Sequence, residues 1–235
     1  MKIVEDAKWF SKQFNHLKFP TELYKHCKRI DGLEIGRLYE TPEGKIYPSV
    51  TSILAVQEKP ELEHWKELVG EEEAKSVSLR ATTNGTYVHD LAEKYIKNSV
   101  DDWKTENPLV KNKFQPLKKI LDEHVDNIFA SELKFYSDKL RVAGTTDLIA
   151  EYDGVLSVID YKTSKRIKYN DEIKDYFIQG SVYAMMAFEM FNLPIKDIVI
   201  LMIVENDILV FKEKVKNHLK DYVIIRRLFK EKYNI

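Results

Sequence analysis

Gly144-Thr-Thr-Asp147-Leu-Ile-Ala-Glu-Tyr-Asp153-Gly154-Val-Leu-Ser-Val-Ile-Asp160-Tyr-Lys162 reads as two β-strands joined by a two-residue turn. Asp-Gly is a strong hairpin signal, because a type I′ turn needs positive φ at both central residues. β-Branched and aromatic residues fill both arms. With Asp153 and Gly154 as the loop, Asp147 and Asp160 stand opposite each other on one face of the sheet, their Cβ atoms about 4.5–5.5 Å apart. Lys162 lies two residues past Asp160 and projects from that same face. Two opposed carboxylates in an otherwise apolar hairpin repel each other, and burial disfavours both. A hard divalent cation offsets that cost, since Mg²⁺ takes one or two carboxylates and keeps waters for substrate or catalysis. A structural Asp–Lys–Asp cluster, or a raised pKa that leaves one acid neutral, would offset it as well.

Outward from the hairpin, the periodicity places strands over Glu132–Tyr136, Leu140–Tyr152 and Val155–Tyr161, with a further hairpin of Ile198–Glu205 and Ile208–Lys212. A long helix is expected from about Asp171 to Asn192, stopped by Pro194, and an amphipathic one over Lys214–Lys232. Upstream, Asp31-Gly32, Pro42-Glu43-Gly44 and Pro48 punctuate turns and short strands. A polar helix is predicted from Pro60 to about Arg80, a second from Asn84 to Asn98 with Val88, Leu91, Ala92 and Tyr95 inward, and a third over 117–130 with Pro116 in its first turn. Strands flanked by helices indicate an α/β layer fold. The reading is one domain over 1–235, with a mainly helical and irregular part to residue 130 and the sheet with its helices over 131–235.

Composition narrows the function classes. The chain has 235 residues, 44% apolar and 32% charged, with a net charge of −1, an ordinary globular make-up that excludes intrinsic disorder. Only one cysteine is present, so Cys27 can form neither an internal disulfide nor a four-thiolate zinc or iron–sulfur site, and a reducing compartment is expected. No apolar run approaches the roughly 20 residues of a membrane span. Residues 1–20 resemble no signal or transit peptide, so the expected location is cytoplasm, the host's if the chain is phage-encoded. The near-zero charge argues weakly against nucleic acid. Its distribution is uneven, with eight Lys/Arg against three Asp/Glu from Phe211 to Ile235, which suits phosphate contact or a solvated helix face.

Asp followed by Asp-x-Lys on the neighbouring strand resembles the pattern of PD-(D/E)XK nucleases, and further stretches resemble the RecB-type exonuclease branch with its genome-maintenance, phage and bacterial members. The matching pieces are Tyr47-Pro-Ser-Val-Thr-Ser-Ile-Leu54, Gly85-Thr-Tyr-Val-His89, Glu132, Gly144-Thr-Thr-Asp147, Val158-Ile-Asp-Tyr-Lys-Thr-Ser164 and Gln179-Gly-Ser-Val-Tyr183, in the family's order. Thr146 stands where the motif's name has Pro, and Asp160 where many relatives have Glu. The resemblance implies a restriction-endonuclease-like core, a mixed central sheet flanked by helices, and a DNA exonuclease acting on single-stranded ends in replication, recombination or repair, with room for a protein partner from those processes. It implies Mg²⁺ or Mn²⁺ on Asp147, Asp160 and the Tyr161 carbonyl, with His89 close to the metal and Lys162 orienting the attacking water. The iron–sulfur sub-branch is excluded by the single cysteine.

Each residue also has a plainer reading. Lys162 alone could be a salt bridge to Asp160. His89 could be a helix-face residue held by Glu93 four residues on. Glu132, at a strand start, could be merely solvated, although the family places an acid near the metal there. Gln179 and Tyr183 share a helix face, and the resemblance has them buttress Lys162 and touch the DNA backbone. Thr163 and Ser164 offer hydrogen bonds to phosphate or ordinary strand-end polarity. Asn84 could N-cap a helix whose first turn receives a phosphate. None of Trp65, Trp103, Tyr47 and Phe114 is assigned to DNA. Two other functions fit the same residues: a metal-dependent nucleotide phosphoesterase, and a non-catalytic DNA-binding or recombination accessory protein.

Overall fold

The computed structural model describes residues 12–18, 27–99, 108–205 and 207–235. Trp103 lies outside them. Eight strands and six α-helices are assigned among the described residues. Strands β1 (Lys28–Leu33), β2 (Gly36–Glu40) and β3 (Ile46–Pro48) form a small antiparallel sheet, followed by the short helix α1 (Val50–Leu54). Helices α2 (Pro60–Val69), α3 (Glu71–Ile96) and α4 (Pro108–His124) precede β4 (Val125–Ser137), β5 (Val142–Tyr152) and β6 (Val155–Ser164). Helix α5 (Lys174–Phe191) then crosses over to β7 (Asp197–Val204), β8 (Asp207–Lys214) and α6 (Leu219–Tyr233).

The main sheet runs β4-β5-β6-β7-β8, antiparallel except for the parallel β6–β7 pair that α5 connects. Every residue of β7 after Asp197 is buried, so this strand is a continuous apolar run covered on both faces. Val158, Ile198, Ile200 and Met202 share one core layer with α5 and with Tyr222, Ile225 and Phe229 of α6. Ile159, Tyr161, Val199 and Leu201 share the other with Leu91 and Tyr95 of α3, Leu117 and Leu121 of α4, and Phe14. This is the mixed α/β architecture expected from the sequence.

Asp153 and Gly154 have φ of +51° and +75°, as the turn demands, and the β5–β6 ladder has the expected register through Leu148↔Ile159. Three expectations are corrected. The helix break lies at Gly70, with φ +83°, rather than near Arg80, and α3 continues through Thr82-Thr83-Asn84-Gly85. Thr82, Thr83 and Thr86 satisfy their hydroxyls on carbonyls four residues back within the helix, and Asn84 is no cap. Pro116 sits inside α4, which ends at His124 rather than at residue 130. Val125 and Ile128 are buried as predicted, but on a strand whose register shifts between Asp126 and Ile128 and again between Ile128 and Ala130. Consequently the main sheet begins before residue 130, while the three-stranded sheet falls where turns and short strands were expected.

Candidate active site

The β5–β6 ladder stops one residue short of the two acids. Instead of pairing with Asp160, Asp147 turns its carboxylate onto the next strand, where Oδ2 accepts the Tyr161 backbone N–H at 2.8 Å. His89, on the docked half of α3, has Nδ1 3.2 Å from Asp147 Oδ1 and Nε2 2.9 Å from the Tyr161 carbonyl oxygen. The Tyr161 peptide is thus gripped at both ends. Asp160 is 2% exposed, and its Oδ2 lies 2.5 Å from Lys162 Nζ. The Lys162 ammonium also sits 5.0 Å above the Tyr176 ring. Both acids and Lys162 line one cleft of about 510 Å³ together with His89, Glu132, Gln179 and Tyr183.

Glu132 enters this cleft from β4 through a left-handed backbone, φ +51°. One ligand atom each of His89, Glu132 and Asp147 lies within 4.8 Å of the others, a spacing suited to one ion. Burial and the Asp147 charge push the Glu132 carboxyl up to about 7. Burial also drives Asp160 up to about 6, with Asp147 adding to the shift and Lys162 opposing it. For Asp147, burial is outweighed by His89, Lys162 and the Tyr161 N–H, and its carboxyl falls below the usual range. Burial of His89 is likewise outweighed by Asp147 and Asp160, and its pKa rises to about 9. Lys162 is buried too, yet Asp160 and Asp147 hold it protonated.

Gln179 Nε2 donates to the Tyr183 hydroxyl at 2.8 Å, so these two residues of α5 act as one unit under the cleft. A Cβ on Gly144 would stand 2.6 Å from Tyr183 Cε1, so glycine is what lets β5 approach that ring. Thr163 and Ser164 lie elsewhere: they line a neighbouring cavity beyond α3 with Asn84, Tyr87 and Leu91. Ser164 spends its hydroxyl on the Arg166 carbonyl at 2.7 Å. Glu93 pairs with Lys97 rather than with His89. The cleft also collects Arg29, Arg37 and Lys134, which the sequence did not single out. Their only signal is the alternation of Arg29 with Asp31 on a short strand.

These residues suit a divalent metal ion. The cluster offers carboxylate oxygens and one imidazole nitrogen, a donor set for a hard cation. Asp160 Oδ2 is buried with no well-formed hydrogen bond among the described residues, its Lys162 contact being a close ion pair. Asp160 is buried and Glu132 and Asp147 are half-buried beside it, and an ion would offset the repulsion among these three acids.

A family model of the PD-(D/E)XK nuclease superfamily matches residues 115–221, a span that holds Glu132, Asp147, Asp160, Lys162, Gln179 and Tyr183. That span is a little under half of the chain, and over it the chain is similar to this superfamily. The mixed five-stranded sheet flanked by helices agrees with a restriction-endonuclease-like fold. The chain is also 30% identical over 132 residues to the human protein mitochondrial genome maintenance exonuclease 1, which covers 52% of this chain. It spans 38% of that relative's length. No helix among the described residues is long and apolar enough to cross a membrane.

Proposed function

We propose that this protein is a Mg²⁺-dependent DNA exonuclease of the RecB-like branch, acting on DNA with single-stranded ends in replication, recombination or repair. Residues 1–235 would work as one nuclease domain, and the lone thiol suits the cytoplasm. The observation that carries the reading is the gathering of Asp147, Asp160, Lys162, His89 and Glu132 in one cleft of a chain similar to the PD-(D/E)XK superfamily. The likeness to a protein named as an exonuclease supports the choice of end-directed cleavage.

Asp147, Asp160, His89 and Glu132 would hold the ion, with the Tyr161 carbonyl, held in place by His89, as a further ligand. Mg²⁺ or Mn²⁺ bound there supplies a polarised phosphoryl oxygen and a more acidic water. The protein's own groups do the rest. Lys162, kept charged by Asp160, orients the attacking water and offsets charge that develops on the phosphate. Gln179 occupies the Tyr183 oxygen as an acceptor, leaving the Tyr183 O–H to donate to a backbone oxygen of the DNA. Thr163, beyond α3, meets the strand outside the cleft, with Ser164 beside it.

The test is a gel assay of end-labelled single-stranded, double-stranded and flapped DNA with Mg²⁺, Mn²⁺ or EDTA, run beside Lys162→Ala. Metal-dependent shortening that disappears in the variant is the expected result, and the product ladder reports polarity. Binding without turnover under any metal would overturn the reading in favour of an accessory protein. Hydrolysis of mononucleotides with intact oligonucleotides would point to a phosphoesterase.

A further inference from the structure

The cleft is electrically two-sided. Asp90, Glu93, Glu132, Asp147 and Asp160 line it from α3 and the main sheet, while Arg29 and Arg37 bring a basic wall from the small sheet, with Lys134 of β4 lining the same cleft. We infer that this basic wall is a phosphate clamp that holds the backbone phosphate next to the one being cut. The inference rests on the nuclease reading above and adds residues that neither the superfamily motif nor the metal cluster contains.

The wall is constructed. Arg29 and Asp31 alternate along β1 and so share a face, and Arg37 stands across from them on β2. Asp31 accepts both guanidinium Nε atoms, at 2.6 Å from Arg29 and 3.1 Å from Arg37, one on each carboxylate oxygen. That arrangement spends only Nε. The terminal N–H groups of both arginines have no partner among the described residues, and both side chains line the cleft. The backbone beneath is fixed as well: Arg37 N–H donates to Ser52 Oγ at 2.7 Å, and that hydroxyl donates back to the Arg37 carbonyl at 3.0 Å. Tyr39, across from Arg29, ties the wall to the floor through a 3.1 Å hydrogen bond between its hydroxyl and Thr145 Oγ1, two residues before Asp147.

Lys134 stands beside Thr145 on the adjacent strand, is exposed, and has no ion-pair partner among the described residues. Two guanidinium forks aligned by one carboxylate, with a lysine ammonium lining the same cleft, suit the oxygens of a phosphodiester. The chemistry also requires something of this kind. A polyanion entering a cleft with five carboxylates is repelled unless cations receive the phosphates that the metal does not. With a net charge of −1 the whole molecule supplies no general attraction, so the cations must be local.

The experiment measures binding separately from cleavage. The Asp160→Asn protein is titrated, by fluorescence anisotropy, into a labelled 20-nucleotide single-stranded oligonucleotide with Ca²⁺ at several salt concentrations. The same protein carrying Arg29→Gln, Arg37→Gln and Lys134→Gln is compared with one carrying Lys119→Gln, Lys139→Gln and Lys196→Gln, an equal charge loss at exposed positions outside the cleft and outside the basic C-terminal segment. The wall variant is expected to bind at least 10-fold more weakly and to lose about 2 from the slope of log affinity against log salt, at about 0.7 per lost cation. The control should stay within about 2-fold. Circular dichroism confirms that both fold. Equal weakening in the two, or an unchanged slope in the wall variant, overturns the clamp and leaves Arg29, Asp31 and Arg37 as a surface ion-pair group. No binding of the oligonucleotide by the Asp160→Asn parent overturns it too. The nuclease reading fails on a different result, the absence of metal-dependent cleavage by the wild-type chain.

Discussion

The β5–β6 hairpin and the first half of α3 lie at opposite extremes of constraint. In the hairpin, Leu148, Ile149, Ala150, Val158 and Ile159 are all fully buried, with helices covering both faces of the sheet. Between Ala74 and Val88, by contrast, α3 has no buried residue, and Leu79 and Tyr87 are 69% and 51% exposed. The same helix then docks through Val88, Leu91, Ala92, Tyr95 and Ile96, and His89 sits at the start of that docked half. The candidate catalytic acids, Lys162 and His89 therefore come from segments whose backbone is pinned by packing, as the close tolerances of the proposed phosphoryl chemistry require. The projecting half of α3 and helix α2, which also exposes Leu62 and Leu68, are free to differ in sequence without disturbing the floor.

That contrast can be broken at several points. The largest effect is expected in the hairpin's acids: Asp147→Ala and Asp160→Ala should each lower the cleavage rate by 10²-fold or more, with a circular dichroism spectrum like the wild type. Full activity in either would remove that acid from the chemistry. Next comes Gly144→Ala. Its new Cβ would meet the Tyr183 ring at 2.6 Å, which should cost about 1–3 kcal/mol in urea melts and disturb the Gln179–Tyr183 pair. A smaller loss, about 1 kcal/mol, is expected for Gly154→Ala: no atom crowds the new methyl, and the cost is the left-handed backbone alone. The smallest belongs to Leu79→Ala, within about 0.5 kcal/mol of wild type. A loss above 1 kcal/mol there would mean that this half of α3 is covered by something, and the comparison would fall.

The bulged strand shows why part of the fold was misread. Leu121, Val125 and Ile128 are spaced by four and three residues, the signature of one helix face. All three are buried, but the helix ends at His124, and two register shifts in β4 turn a strand's period of two into the same spacing. Periodicity records which residues face inward and is blind to which backbone brings them there. The break between α2 and α3 was misplaced for a related reason. Thr82-Thr83-Asn84-Gly85 has the composition of a loop, yet it continues a helix whose next turns are fixed by the packing of Val88, Leu91, Ala92, Tyr95 and Ile96, and tertiary packing overrides local preference.

What the sequence by itself determined is local. The Asp153-Gly154 turn needs only its own two residues to set positive φ, and that turn dictates the hairpin register that brings Asp147 and Asp160 to the same end of adjacent strands. Lys162 follows from strand alternation. The rest was decided by tertiary structure. The hairpin opens beyond Leu148 because Asp147 finds the Tyr161 N–H and His89, a residue on a distant helix. Glu132 enters the metal-suited cluster through a left-handed residue in the neighbouring strand, and Arg29 and Arg37 reach the cleft because a second sheet docks onto β5 through Tyr39 and Thr145. Short-range steric rules act between residues near in the chain. The charges and hydrogen bonds that complete this site act between residues the core has brought together, and only the packed core sets those distances.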